Sequence, residues 1–335
     1  MQKEFFSPAE IRKIFRLEDK VKSMQTLFNA EERGDIPKAE RFARGSNHQA
    51  RQWKISQLPE IGKKYGFLQK PNKQWVICVY TAKGGVLKTT ITYALARILA
   101  LNGIKVLIIG LDFQGSLTEL ALPNRIPESL SEVIEPTLGL HSVFYDRVPI
   151  EEVIQVTNLP TLHIIPETPE LIILEKRMRA ENKRELVFKE KLIPKLKDYD
   201  VIMFDNSPNW TGLIENALVA SKVVISPLGC DYGTFRVLDN NLNTLRDFQT
   251  TMNVEWDHFV MIPTLLDNTT LSQQIYSSYV TNYQKDVIPA PIRRSVKGQE
   301  SLVTNQSPIE YDPASSLSQD YFEFVTKFWK LLNPS

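Results

Sequence analysis

Between the apolar run Val76–Tyr80 and the helix-forming segment Thr89–Leu101 lie eight residues, Lys83-Gly84-Gly85-Val86-Leu87-Lys88-Thr89-Thr90. Strand, glycine turn and helix in that order fix one local geometry. The helix N-terminus presents main-chain N–H groups with no partner inside the helix, and the aligned peptide dipoles add partial positive charge. A phosphate is held well at such a point. Glycine lets the main chain approach the anion closely. Lys88 then reaches the outer phosphates, and Thr89 offers a hydroxyl to a divalent cation. The strict GxxxxGK[ST] pattern is not met, because Ala82 and Leu87 stand at its two glycine positions.

From residue 73 onward the chain repeats one rhythm of apolar strand, turn and amphipathic helix. Strands are expected at Val76–Tyr80, Lys105–Ile109, Leu162–Ile165, Val201–Phe204, Val223–Ile225 and Phe259–Ile262, and helices at Gly212–Ser221 and Phe235–Phe248. Such alternation predicts an α/β fold, a mostly parallel sheet covered by helices on both faces. Two strands end at an aspartate: Asp112 follows the second, and Asp205 closes the run Val201–Phe204. One carboxylate to support a metal and one to orient a nucleophile are what phosphoryl transfer requires. Cys78 and Cys230 are isolated, which excludes a disulfide framework, a zinc ribbon and an iron–sulfur carrier. There is no run of about 18 apolar residues and no apolar leader, so a cytoplasmic location is expected.

The segment Lys83–Thr90 resembles the deviant phosphate loop KGGxxK[ST] of the ParA/MinD ATPases, a P-loop NTPase fold. Gly110-Leu111-Asp112-Phe113-Gln114-Gly115-Ser116 is similar to that family's D-x-D-P-Q-G, with Gly110 and Phe113 as departures. Phe204-Asp205-Asn206-Ser207-Pro208 is similar to its second acidic motif, and Pro291-Ile292-Arg293-Arg294 through Pro308-Ile309-Glu310-Tyr311-Asp312-Pro313 to its closing stretch. The resemblance covers residues 73–335. It implies ATP and Mg²⁺ as ligands, held by Lys83, Gly84, Gly85, Val86, Leu87, Lys88, Thr89, Thr90, Asp112 and Asp205. Thr89 and Asp205 would serve the metal. Lys83, Lys88 and Asp112 would serve catalysis, Lys83 by crossing to the partner's phosphates in an ATP-bound homodimer. It further implies a partition ATPase that binds DNA without sequence preference through Lys285, Arg293, Arg294 and Lys297, associates with the nucleoid, and is stimulated by a centromere-binding ParB-like adaptor. Two other readings stand beside it: a nucleotide-regulated transcription regulator with little catalysis, and a MinD-like positioning ATPase. For the second, Tyr321–Leu332 would be a membrane anchor, although a domain-closing helix accounts for the same pattern and a membrane partner is not expected.

Residues 1–72 form a separate head, bounded by the polar stretch Gln69–Gln74. They carry 15 Lys+Arg against 9 Asp+Glu, a net +6 that leaves −5 for the remainder. Such an asymmetry points to an anionic partner, DNA first. Ser7-Pro8-Ala9-Glu10 has the spacing of a capping box, and short helices are expected after Ser7, from about Val21 to Glu32, and at Ile55–Lys64. The head is similar to MerR-like winged helix-turn-helix domains on Ser7–Ile11, Gly34–Arg41 and Arg51-Gln52-Trp53. By that resemblance Lys38, Arg41, Arg44, Arg51 and Lys54 would meet DNA around the Gly45-Ser46 turn, and the protein would repress its own operon.

Overall fold

The computed structural model describes residues 3–17, 23–44, 48–123 and 137–334. Eleven strands are present among them: β1 Phe5–Phe6, β2 Glu40–Arg44, β3 His48–Lys54, β4 Trp75–Val79, β5 Val106–Gly110, β6 Gln155–Val156, β7 Leu162–Ile165, β8 Val201–Asp205, β9 Val223–Gly229, β10 His258–Leu266 and β11 Ile292–Arg293. The last eight form one sheet in the order β11-β10-β9-β4-β8-β5-β7-β6, parallel throughout except for the β6–β7 edge pair. The predicted α/β sheet is therefore present, with β4 and its phosphate-binding turn near the centre. The order reverses around β4: β9 lies on one side, β8 and β5 on the other. That is where a crevice opens at the carboxyl ends of parallel strands.

Both faces of this sheet are covered, and β4 shows how. Trp75, Ile77 and Val79 enter one core with the helices Lys88–Leu101 and Ser316–Leu332. Val76, Cys78 and Tyr80 enter a second core with the helices Leu171–Met178 and Gly212–Ala220. A strand buried on both sides reads as a continuous apolar run, which is why these strands were visible in the sequence. The edge strands β6 and β11 have two residues each and carry no such signal. The helix expected at Phe235–Phe248 runs from Tyr232 to Met252, started by the Asp231 side chain accepting from the Thr234 N–H.

The head contains the expected helices at Pro8–Ile14, Met24–Glu32 and Leu58–Tyr65. The Ser7 box is formed, with the Glu10 carboxylate accepting from the Ser7 N–H at 2.9 Å. Residues 18–22, where the second helix was expected to begin, lie outside the described residues. What helical spacing missed is a small antiparallel sheet, β1-β3-β2, in which Arg41 faces Arg51 across the β2–β3 pair. Its strands are polar and charged on their exposed side, so no apolar run announced them. The Gly45-Ser46 turn between them is outside the described residues.

No secondary structure spans 66–74, yet the core does not stop there. Phe15, Ile61 and Trp53 of the head share one apolar cluster with Leu101 and Phe328 of the body. The closest approach is at Gly62, where a Cβ would lie 1.8 Å from the Leu101 carbonyl oxygen. Asn102 stitches the joint: its side-chain oxygen accepts from the Phe67 N–H at 2.9 Å and the Leu68 N–H at 3.2 Å. The C-terminal helix Ser316–Leu332 closes the same seam. Phe322 packs edge-on against Phe67, and the Trp329 indole donates to the Gln69 carbonyl at 2.9 Å. Its apolar side is therefore spent on the protein core rather than left for a membrane.

Candidate functional site: a phosphate loop with two carboxylates

The loop after β4 turns sharply into the helix Lys88–Leu101. Gly85 has φ +73° and Leu87 φ +68°, both left-handed. For leucine this conformation costs about 1–2 kcal/mol. Leu87 stands where the strict motif has glycine, and its packing against the core holds it there. The turn places Lys88 at the first helical position, its ammonium donating to the Lys83 carbonyl at 2.8 Å. Burial lowers the Lys88 pKa, opposed by the negative charges of Asp205 and Asp112. A buried ammonium held only by a carbonyl and two nearby acids is poised for a stronger anion.

Strand register brings the acids in. Val79 of β4 and Gly110 of β5 both pair with Asp205 of β8, one on each side. Asp205 is fully buried and accepts from the Thr89 hydroxyl at 2.8 Å on one oxygen and the Thr92 hydroxyl at 2.8 Å on the other. Burial pushes its pKa up to about 6, against the pull of those hydroxyls and of Lys88. Asp112, two residues past β5, is half-buried and accepts from the Gln114 N–H at 3.0 Å. Among the described residues no cluster of three or more His, Cys, Asp or Glu is placed to hold a metal alone. A hydroxyl and one carboxylate instead suit a magnesium ion, which keeps waters and takes the rest of its oxygens from phosphate. The hard-oxygen pair Thr89–Asp205 fits that demand.

A cavity of about 730 Å³ opens over this centre. Gly84, Gly85, Leu87, Lys88, Thr89, Thr90 and Asp112 are among its lining residues. Leu120, Pro123, Leu302 and Val303 add apolar lining, with Glu119 and Asn305. Val86 is buried under the loop, its carbonyl accepting from Thr264, and Asp205 stands behind Thr89. The Lys83 ammonium does not line the cavity; it lies by Gly233, at the start of the helix Tyr232–Met252. Sequence reasoning missed Leu302, Val303 and Asn305, which lie between the two halves of the quoted closing stretch. It also missed Glu167, described below.

The cations assigned to DNA separate into two groups. Arg51 pairs with Glu31 at 3.0 Å and Glu32 at 3.5 Å and stacks over Phe28, 3.9 Å from the ring centre. Arg41 pairs with the same Glu31, and Lys54 with Glu40. Arg293 grips Asp320 through two hydrogen bonds of 2.7 and 2.6 Å, and Lys297 lies 3.3 Å from Glu300. Lys38, Lys285 and Arg294 are exposed and form no ion pair among the described residues. The Arg44 side chain lies outside what the structure describes. The structure thus gathers the phosphate-loop residues into one centre and leaves the predicted DNA contacts spread over the surface.

Three known proteins and one family model are similar to this chain. The Bacillus subtilis sporulation initiation inhibitor protein Soj is 29% identical over 252 residues, 75% of this chain and 96% of its own. A cobyrinic acid a,c-diamide synthase from Mycobacterium smegmatis, solved with a bound ATP analog and magnesium, is 28% identical with a TM-score of 0.57, covering 71% of this chain and 92% of its own. A solved partition protein, 19% identical, has a TM-score of 0.65 over 96% of this chain and 93% of its own, so the likeness in fold extends over nearly the whole chain. A family model described as an AAA domain matches residues 74–258, which hold β4 through the start of β10 and both aspartates. The chain belongs to that family, as a P-loop ATPase of the ParA/MinD type.

Proposed function

We propose that this protein is a partition or positioning ATPase that binds ATP with Mg²⁺, dimerises on it, and holds DNA in the ATP-bound state. The observation that carries the reading is the convergence of Lys88, Thr89 and Asp112 on one cavity, with Asp205 of a third strand bonded behind Thr89. The magnesium-bound relative supports the ligand pair. Bound there, Mg²⁺ would supply charge neutralisation for phosphoryl transfer. The helix N–H groups and Lys88 hold the phosphates, and Thr89 with Asp205 holds the cation. Asp112, at the rim, orients the attacking water. Lys83, directed away from its own cavity, is free to reach a partner's phosphates in a dimer. A ParB-like adaptor accelerates hydrolysis and so releases DNA. The head binds a specific operator, with Lys38 the cation best placed to meet a phosphate. The test is Mg–ATP binding by Lys88→Ala and Thr89→Ala, each expected to lose at least tenfold in affinity, about 1.4 kcal/mol. Wild-type affinity in both would remove the site.

A second reading, a regulator whose nucleotide state sets operator affinity, is favoured by the firm seating of the head on the end of the phosphate-loop helix. Measured turnover, alone and with DNA, separates the two. The membrane-anchored reading is disfavoured, because the apolar side of Ser316–Leu332 is buried.

A further inference from the structure

Strand β5 ends in Gly110, and the space beside that glycine is taken. A β-carbon at residue 110 would stand 2.3 Å from Cγ, 2.5 Å from Cδ and 2.8 Å from Oε1 of Glu167. A strand glycine here marks the close approach of another group. Glu167 enters just past β7, the strand beside β5. Its Oε2 is well used, accepting from both the N–H and the hydroxyl of Thr118 at 2.8 Å each. Its Oε1 has no hydrogen-bond partner among the described residues, although the residue is only 8% exposed. A buried carboxylate oxygen left unpaired is costly and calls for a partner.

Its location indicates which partner. Gly110 pairs in register with Asp205, and paired strands lie about 4.8 Å apart. Matched residues on parallel strands direct their side chains to the same face. The volume that a side chain at 110 would fill, now occupied by Glu167, is thus on the face where Asp205 meets Thr89. Burial, together with the charges of Asp205 and Asp112, raises the Glu167 pKa to about 8. A cation beside Thr89 and Asp205 would invert that local field.

We propose that Glu167 is a positioning residue of the metal–nucleotide site, its free oxygen accepting a hydrogen bond from the water shell of the cation held by Thr89 and Asp205. It supplies from β7 a carboxylate that β5 cannot carry at Gly110. The proposal rests on the reading of the cavity as a magnesium–nucleotide site.

The experiment is equilibrium binding of fluorescent N-methylanthraniloyl-ADP to the full chain while Mg²⁺ is titrated. A wild-type protein that shows no Mg²⁺-dependent binding would overturn the site reading itself. Glu167→Gln keeps the length and the acceptor for Thr118 but removes the charge. Its Mg²⁺ midpoint is expected to rise at least fivefold, with binding restored at saturating Mg²⁺. Gly110→Asp combined with Glu167→Ala moves the carboxylate to residue 110, and the midpoint is expected to return to within twofold of wild type. A purely structural role for Glu167 would give neither the shift nor the recovery. An unshifted midpoint in Glu167→Gln overturns the proposal, and so does a folded double variant whose midpoint stays raised. If one of the two does not fold, the other decides by the same criterion.

Discussion

In the body, the most deeply buried cation is matched on every side. Arg97, on the phosphate-loop helix, is 1% exposed and meets Glu310 through two hydrogen bonds of 2.8 and 2.6 Å, with Tyr93 and Asn158 filling a third direction. In the head, the comparable cation Arg51 is 19% exposed at its side chain, shares Glu31 with Arg41, and lies across Phe28 at the rim. Both arginines tie two segments together, but one is sealed in the interior and the other only partly covered. The body carries chemistry at a point where three strand ends leave no freedom. In the head, Arg41, Arg51 and Lys54 each have a carboxylate partner, whereas Lys38 is exposed and has none among the described residues. A sequence shows both as basic residues among acidic ones; only packing tells them apart.

That contrast can be broken most sharply at the arginines themselves. Arg97→Leu strands a buried Glu310 and is expected to cost about 3–5 kcal/mol of stability, while Arg51→Leu is expected to cost less, because Arg41 still pairs with Glu31. Denaturant unfolding of the full chain measures both, and equal losses would erase the distinction. The seam between the regions comes next. Gly62→Ala forces a methyl group against the Leu101 carbonyl and is expected to cost 1–3 kcal/mol by overpacking. A melting temperature unchanged in that variant would mean that head and body are not packed as described.

Two predictions probe the body's acids. Asp112→Ala is expected to bind Mg–ATP like wild type and to turn over at least tenfold more slowly, about 1.4 kcal/mol in the barrier. Wild-type turnover would assign the water-orienting role elsewhere. Asp205 has a folded pKa raised to about 6 from 3.8, so between those values the folded state binds more protons than the unfolded state. Nucleotide-free stability therefore falls as pH rises through that window, by at most about 1.4 kcal/mol per pH unit. Asp205→Asn is expected to show a flatter stability profile from pH 4 to 6, and identical slopes would contradict the burial argument. The smallest effect belongs to the head. Lys38→Ala is expected to reduce the salt dependence of operator binding by about 0.9 in slope, one phosphate contact, without changing the unfolding curve. If the slope does not move, Lys38 makes no phosphate contact.

The sheet and the phosphate loop were legible because each is announced locally. Doubly buried strands read as apolar runs, and a glycine pair before Lys88 can do little else between a strand and a helix. Asp112 and Asp205 were legible because they stand where such strands end. Glu167 was not, since Pro166-Glu167-Thr168 has no motif of its own. Its meaning arises only when the fold sets it into the gap left by Gly110. The head's hairpin escaped for a related reason: Glu40–Arg44 and His48–Lys54 face water on one side and are rich in charge, so no apolar alternation marks them. Leu302 and Val303 were hidden by their exposure, being apolar residues that a surface helix carries at the cavity mouth.

The contact between Gly62 and the Leu101 carbonyl has a consequence for how the two regions are tethered. The helix that begins with Lys88 at the phosphate site ends at Leu101, about 20 Å away. There it abuts the head's main chain with no side chain between them. The covalent connection, residues 66–74, is irregular, yet it is itself tied to the body through Asn102 and Trp329, so the two regions are joined there and where backbone rests on backbone. One methyl group at position 62 would have to displace that contact.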